Sequence, residues 1–137
     1  MDREQFEICR DEAYQFFDLA KKGCTDTNEY MLYMYAATAN VVFSCELSLK
    51  AILIYNEMQD NIKTHEIKKL FNLLPENIKN EIRKQYSGKK KLDDLLSEIN
   101  NQFVNWRYAF EKPVSAPTDD MIQFAEILRQ YLINIDE

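Results

Sequence analysis

Apolar residues recur along most of this chain at three- and four-residue intervals. Between Phe6 and Ala20 they are Phe6, Cys9, Ala13, Phe16, Phe17 and Ala20, which form one face of an amphipathic helix. Gly23 and the run Thr25-Asp26-Thr27-Asn28 are expected to stop that helix and cap the next. The second helix, from Asn28 to Met58, is apolar nearly all round. Tyr35, Ala39, Val42, Phe43 and Leu53 lie on one side, and Met34, Val41, Cys45 and Ile52 on another. A helix greasy on several faces belongs in the middle of a bundle. Along it runs a stripe of small residues, Ala37, Asn40, Ser44, Ser48 and Ala51, which admits a close neighbour. That neighbour is either a helix of the same fold, the preferred reading, or another subunit.

After a loop at Asp60–Thr64, Thr64 is placed to cap a short helix, His65 to Leu74, with Ile67, Leu70, Phe71 and Leu74 inward. Pro75 opens another short helix to about Tyr86, which Ser87-Gly88 ends. From Leu92 to Glu111 the inward face reads Leu92, Leu95, Leu96, Ile99, Phe103, Trp106 and Phe110. Pro113 and Pro117 bracket a turn. Thr118 caps a last helix with the stripe Ile122, Ala125, Leu128, Leu132 and Ile135. The pattern predicts an all-α protein: an up-and-down four-helix bundle with a short helical insert between the second and third main helices. It reads as one domain over residues 1–137, with the insert at about 60–91.

Composition agrees with that pattern. Two Gly and three Pro in 137 residues are too few for a many-stranded sandwich or a Gly-rich phosphate loop. No apolar run approaches the ~20 residues of a membrane span, and the polar start Met1-Asp2-Arg3-Glu4-Gln5 is not a signal peptide. Cys9, Cys24 and Cys45 are odd in number and widely spaced, as expected of reduced thiols in a cytosolic protein. With one histidine, no Cys-x-x-Cys and no Glu-x-x-His pair, neither a metal nor a cofactor is expected.

Candidate chemistry is concentrated in three places. Glu46 and Lys50 stand at i and i+4 on the apolar second helix, the favourable order for an ion pair. They either form a structural pair at the core edge or position a cleft residue from another helix. Asn100, Arg107 and Glu111 line one strip beside the aromatic face of the third main helix. Arg107 is placed to reach a carboxylate such as Glu46 or Glu111, or a phosphate. The third signal is charge. The formal net charge is -6, but the segment Lys63–Lys91 carries +6 and the rest of the chain -12. Lys79, Arg83, Lys84, Lys89, Lys90 and Lys91 are the candidates for phosphate attraction; the alternative is a solvated helical surface.

Three stretches together resemble a known family. They are Phe43-Ser-Cys-Glu-Leu-Ser-Leu-Lys-Ala-Ile-Leu53, His65-Glu-Ile-Lys-Lys-Leu-Phe-Asn-Leu-Leu-Pro75 and Phe103-Val-Asn-Trp-Arg-Tyr-Ala-Phe-Glu111. In order and spacing they are similar to a HEPN domain, the helical bundle of nucleotide- and RNA-associated proteins. The resemblance implies a frequently dimeric bundle of toxin–antitoxin and phage-defence systems. Many members are metal-independent RNases carrying an Arg, four to six residues, then a His. Arg107 matches that Arg, and Tyr108 the polar residue that often follows it. The His would fall at Lys112, Pro113 or Val114, and none is a His.

The sequence therefore leads to a cytoplasmic HEPN-like homodimer that binds RNA or a nucleotide without cutting it. Arg107 is its anchor, oriented by Glu46 or Glu111, with Lys50, Asn100 and Tyr108 nearby. Two alternatives stand beside it. One is an RNase with a rearranged site, in which His65 replaces the missing His. The other is a structural subunit without nucleic-acid binding, whose small-residue stripe meets a partner protein encoded nearby.

Overall fold

The computed structural model describes the backbone of residues 1–25, 30–58, 60, 62–107 and 118–136, and the side chains of 1–22, 36–58, 60, 62–100 and 118–136. The described residues form six helices and no strand: α1 Arg3–Thr25, α2 Tyr30–Tyr55, α3 Ile67–Leu73, α4 Glu76–Gln85, α5 Leu92–Arg107 and α6 Thr118–Ile135. The four main helices are α1, α2, α5 and α6, and α3 and α4 are the insert between the second and third.

Several boundaries differ from the sequence reading. α1 runs through Gly23 to Thr25. One glycine costs a helix only about 1 kcal/mol, and a long packed helix tolerates that. Residues 26–29, expected to cap α2, lie outside the described residues, as do Pro113 and Pro117. α2 ends at Tyr55, short of Met58. There Glu57 takes a positive φ of 58°, and the Met58 amide donates to Leu53 O at 2.8 Å. In a chain so poor in glycine, a glutamate occupies the left-handed turn that ends the helix. Thr64 does not cap α3. Its Oγ1 accepts the Glu66 amide at 3.1 Å, while Glu66 itself is the N-cap residue, so His65 precedes the helix. Pro75 sits at the N-cap of α4, one residue before the position expected for it.

One contiguous core draws on all six helices. Phe6, Phe17 and Ala20 of α1 meet Val41, Cys45, Leu49, Ile52 and Leu53 of α2. Leu70, Phe71, Ile82, Leu95, Leu96, Phe124 and Leu128 complete it from the others. α2 is the central helix, as its all-round apolar pattern requires. By length and composition Ala36–Tyr55 would also serve as a membrane span, which corrects the expectation that no apolar run approaches that length. It is instead 72% buried within the fold. The small-residue stripe faces α1. Ala37, Ser44, Ser48 and Ala51 are buried, and the Ser44 hydroxyl donates to Ala13 O at 3.0 Å. The fold itself covers that stripe, so the neighbour it was expected to admit is α1, and a partner protein must use another face.

Charge pairs mark the directions of the helices. α6 runs antiparallel to α1: Lys21 pairs with Glu126 (2.9 Å), Asp18 with Arg129, and both Arg3 and Arg10 with Asp136. Phe6 packs on Tyr55, whose hydroxyl donates to Ile135 O at 3.0 Å, so α2 is antiparallel to α1 as well. Cys45 is buried and Cys9 partly so. Both are free thiols, and desolvation raises the pKa of each, most strongly for Cys45, so neither is a ready nucleophile. Cys24 lies outside the described side chains.

Candidate functional site

Three candidate residues converge where α2 meets the start of α3. Lys50 Nζ lies 3.1 Å from Glu46 Oε2, and His65 Nδ1 lies 3.2 Å from both Glu46 oxygens. The Glu46 and Lys50 side chains are 11% and 13% exposed, whereas His65 is 75% exposed. An ionised carboxylate only accepts, so Nδ1 is the donor in this contact. The helix fixes the Glu46–Lys50 pair through its four-residue spacing. The loop before α3 adds the histidine.

Next to this cluster, Asn100 of α5 ties the insert down. Its Oδ1 accepts the Lys68 amide and its Nδ2 donates to Glu66 Oε1, each at 3.4 Å. Lys68 Nζ donates to Ser97 Oγ at 2.8 Å, and Lys69 pairs with Glu66 at 2.6 Å. The hydrogen bond from Lys69, aided by Asn100, holds Glu66 below its ordinary pKa. Asn100 and Arg107 share a face of α5, two turns apart. The Arg107 side chain, Tyr108 and Glu111 lie outside the described residues.

The basic insert divides into two classes. Four of its cations are committed to acids: Lys69 to Glu66, Lys79 and Arg83 to Glu76, and Lys90 to Glu98. Of the others, Lys68 donates to Ser97, and Lys63, Lys84, Lys89 and Lys91 are exposed with no acid partner among the described residues.

The loop bearing two of those lysines is rigidly built. Asp120, in the first turn of α6, is only 8% exposed, and its two oxygens accept the Lys89 and Lys90 amides at 3.0 Å each. The Tyr86 hydroxyl donates to Lys90 O at 2.7 Å, and Gln123 Oε1 accepts the Ser87 amide at 2.7 Å. Burial, then the nearby Asp120 charge, raises the Tyr86 pKa, which keeps it a donor. Gly88 is required here for space and not for φ. A Cβ on it would stand 2.3 Å from the Tyr86 hydroxyl and 2.8 Å from Asp120 Oδ1.

Sequence reading missed Asp120, Tyr86 and Gln123. Asp119-Asp120 looks like an ordinary acidic first turn, and nothing local says that Asp120 turns inward while Asp119 stays exposed. Lys91 precedes α5 and Arg107 ends it, so about 24 Å of helix lies between them at 1.5 Å per residue. One small ligand does not touch both.

No match was found among curated proteins or among solved structures. A family model does match, that of the HEPN domain, over residues 6–135. Nearly the whole chain is thus spanned, and the helical architecture agrees with it. The protein belongs to the HEPN domain family.

Proposed function

We propose that this HEPN domain binds RNA or a nucleotide through phosphate contacts, without cleaving it. The observation that carries this reading is the set of three unpaired lysines, Lys84, Lys89 and Lys91, on and beside a loop that Asp120 holds rigid. Unpaired cations on a pre-ordered backbone attract phosphate at little entropic cost. Arg107 is a second phosphate anchor at the far end of α5. The separation of the two favours a polymer over a mononucleotide. The reading includes a cytoplasmic homodimer and a toxin–antitoxin or defence context. Light scattering at micromolar concentration tests the dimer.

Binding of a labelled single-stranded RNA across a salt series tests the function. Each phosphate contact adds about 0.7 to the slope of log affinity against log salt, so neutralising all three lysines lowers it by about 2. A wild-type affinity that ignores salt rejects the phosphate role. An Arg107→Ala chain that binds as tightly as wild type removes Arg107 as an anchor.

The contact of Glu46 with His65 favours a second reading, an RNase with a rearranged site. In it, His65 Nε2 takes the proton of a 2′-hydroxyl while Glu46 holds the ring. Cleavage of total RNA in the presence of a chelator, lost in His65→Ala, is its expected signature. No cleavage at high protein concentration leaves the binding reading alone.

A further inference from the structure

A groove of ≈ 490 Å³ opens between α1, the end of α4 and α6. Its floor is apolar, formed by Phe17 and Ile127, and Ile133 stands at 37% exposure on its wall. Three glutamines, Gln85, Gln123 and Gln130, line the rest. The charges in it cancel, because Lys21 pairs with Glu126 and Arg129 with Asp18 across the α1–α6 contact. The groove therefore offers an apolar surface and amide hydrogen bonds, with no net charge.

The lysine loop forms one end of this groove. Gln85 is the last residue of α4, next to Lys84. Gln123 lines the groove and also accepts the Ser87 amide, so it belongs to both features. Asp120, which holds Lys89 and Lys90, precedes Gln123 by one turn of α6, about 5 Å. With its Oε1 committed to Ser87, Gln123 keeps two amide hydrogens to donate. The Gln85 side chain makes no hydrogen bond among the described residues and keeps both its donor and its acceptor.

We propose that this groove receives the bases of a single-stranded polynucleotide whose phosphates lie on Lys84 and Lys89. The proposal rests on the phosphate-binding reading above and extends it from charge to base contact. Amides that both donate and accept suit the edges of unpaired bases, and a neutral apolar floor suits their faces. Cations without an acid partner stand only at the rim, which suits a backbone that stays in solvent. An acidic peptide would match the rim lysines, and its backbone can bond the amides, but poly-acidic side chains bring no flat apolar faces to the floor. The site lies at the opposite end of α5 from Arg107.

The test measures binding of a labelled twelve-nucleotide single-stranded RNA and of inorganic polyphosphate, which has the charge without the bases. The full chain is compared with Gln85→Ala/Gln130→Ala and with Lys84→Ala/Lys89→Ala/Lys91→Ala, all at exposed positions. The glutamine variant is expected to lose about three- to ten-fold in RNA affinity and nothing toward polyphosphate. The lysine variant is expected to lose affinity for both. Unchanged RNA binding by the glutamine variant, with loss in the lysine variant, overturns the groove and leaves the phosphate reading standing. Unchanged RNA binding by the lysine variant rejects the phosphate reading itself. A poly-glutamate peptide that binds the wild type and is lost in the glutamine variant assigns the groove to a peptide and overturns the proposal. With 4-thiouridine in the RNA, photocrosslinks are expected on residues 123–133. Crosslinks confined to 100–107 overturn it.

Discussion

Glu46 and Asp120 are the two carboxylates buried among the described residues, each 8% exposed, and they are satisfied in opposite ways. Glu46 is met by side chains, the Lys50 ammonium from its own helix and the His65 imidazole from the next loop. Asp120 is met by two backbone amides of a loop some thirty residues away. A side-chain partner brings charge, and it also brings its own rotamer freedom. A backbone partner brings no charge, but once bonded it fixes the course of the chain. Glu46 therefore holds an exposed imidazole at the edge of the core, whereas Asp120 shapes the loop that carries the free lysines.

The sharpest separation of the two roles comes from removing each carboxylate. Glu46→Ala leaves Lys50 largely buried and unpaired, and is expected to cost about 3 kcal/mol in denaturant unfolding. The double change Glu46→Leu/Lys50→Met is expected to recover most of that. A cost below 1 kcal/mol for Glu46→Ala would show that water already screens the pair.

Asp120→Ala leaves two amides without their acceptor and is expected to cost about 2 kcal/mol. Hydrogen exchange at Lys89 and Lys90 should rise with it. Asp120→Asn separates positioning from charge. Removing a negative charge beside lysines would by itself strengthen RNA binding, whereas loosening the loop would weaken it. Weaker binding is expected, and stronger binding would reduce Asp120 to a local electrostatic brake.

Gly88→Ala tests the same loop from the other side. The new methyl group displaces the Tyr86 hydroxyl and crowds Asp120, with an expected cost of about 1–2 kcal/mol. No loss of stability would mean that the loop relaxes freely, which contradicts its role as a rigid support.

A partly exposed carboxylate supplies the reference for these buried ones. The Arg3 hydrogen bond, with help from Arg10, holds Asp136 below its ordinary pKa of 3.8. The unfolded chain therefore takes up this proton first as pH falls. The stabilisation is complete above the ordinary value and is lost as pH drops through the lowered one. The stability advantage of wild type over Asp136→Asn is expected to be small, constant near neutrality, and to vanish in acid unfolding experiments as pH falls through the lowered value. An advantage that grows on acidification would reverse the sign of this linkage.

The six helices were legible because apolar spacing at three and four residues reports directly which face of a helix is buried. The Glu46–Lys50 pair was legible for the same reason, since a four-residue spacing fixes proximity without any tertiary contact. His65 was visible as a candidate, but its partner was not. Nineteen residues separate it from Glu46, and only the packing of the loop on α2 closes that distance. The lysines were visible as a charge excess. Which of them are free was not, because pairings such as Lys90 with Glu98 depend on how a loop enters a helix.

The sequence alone determined the all-helical class, the central position of α2, the ion pair on it and the basic character of the insert. Each follows from composition or from periodicity within one helix. Only the tertiary structure decided that the small-residue stripe is covered by α1, that Asp120 holds the lysine loop, and that His65 meets Glu46. Those features are contacts between elements distant in sequence. They depend on the packing of the shared core, which no local pattern records.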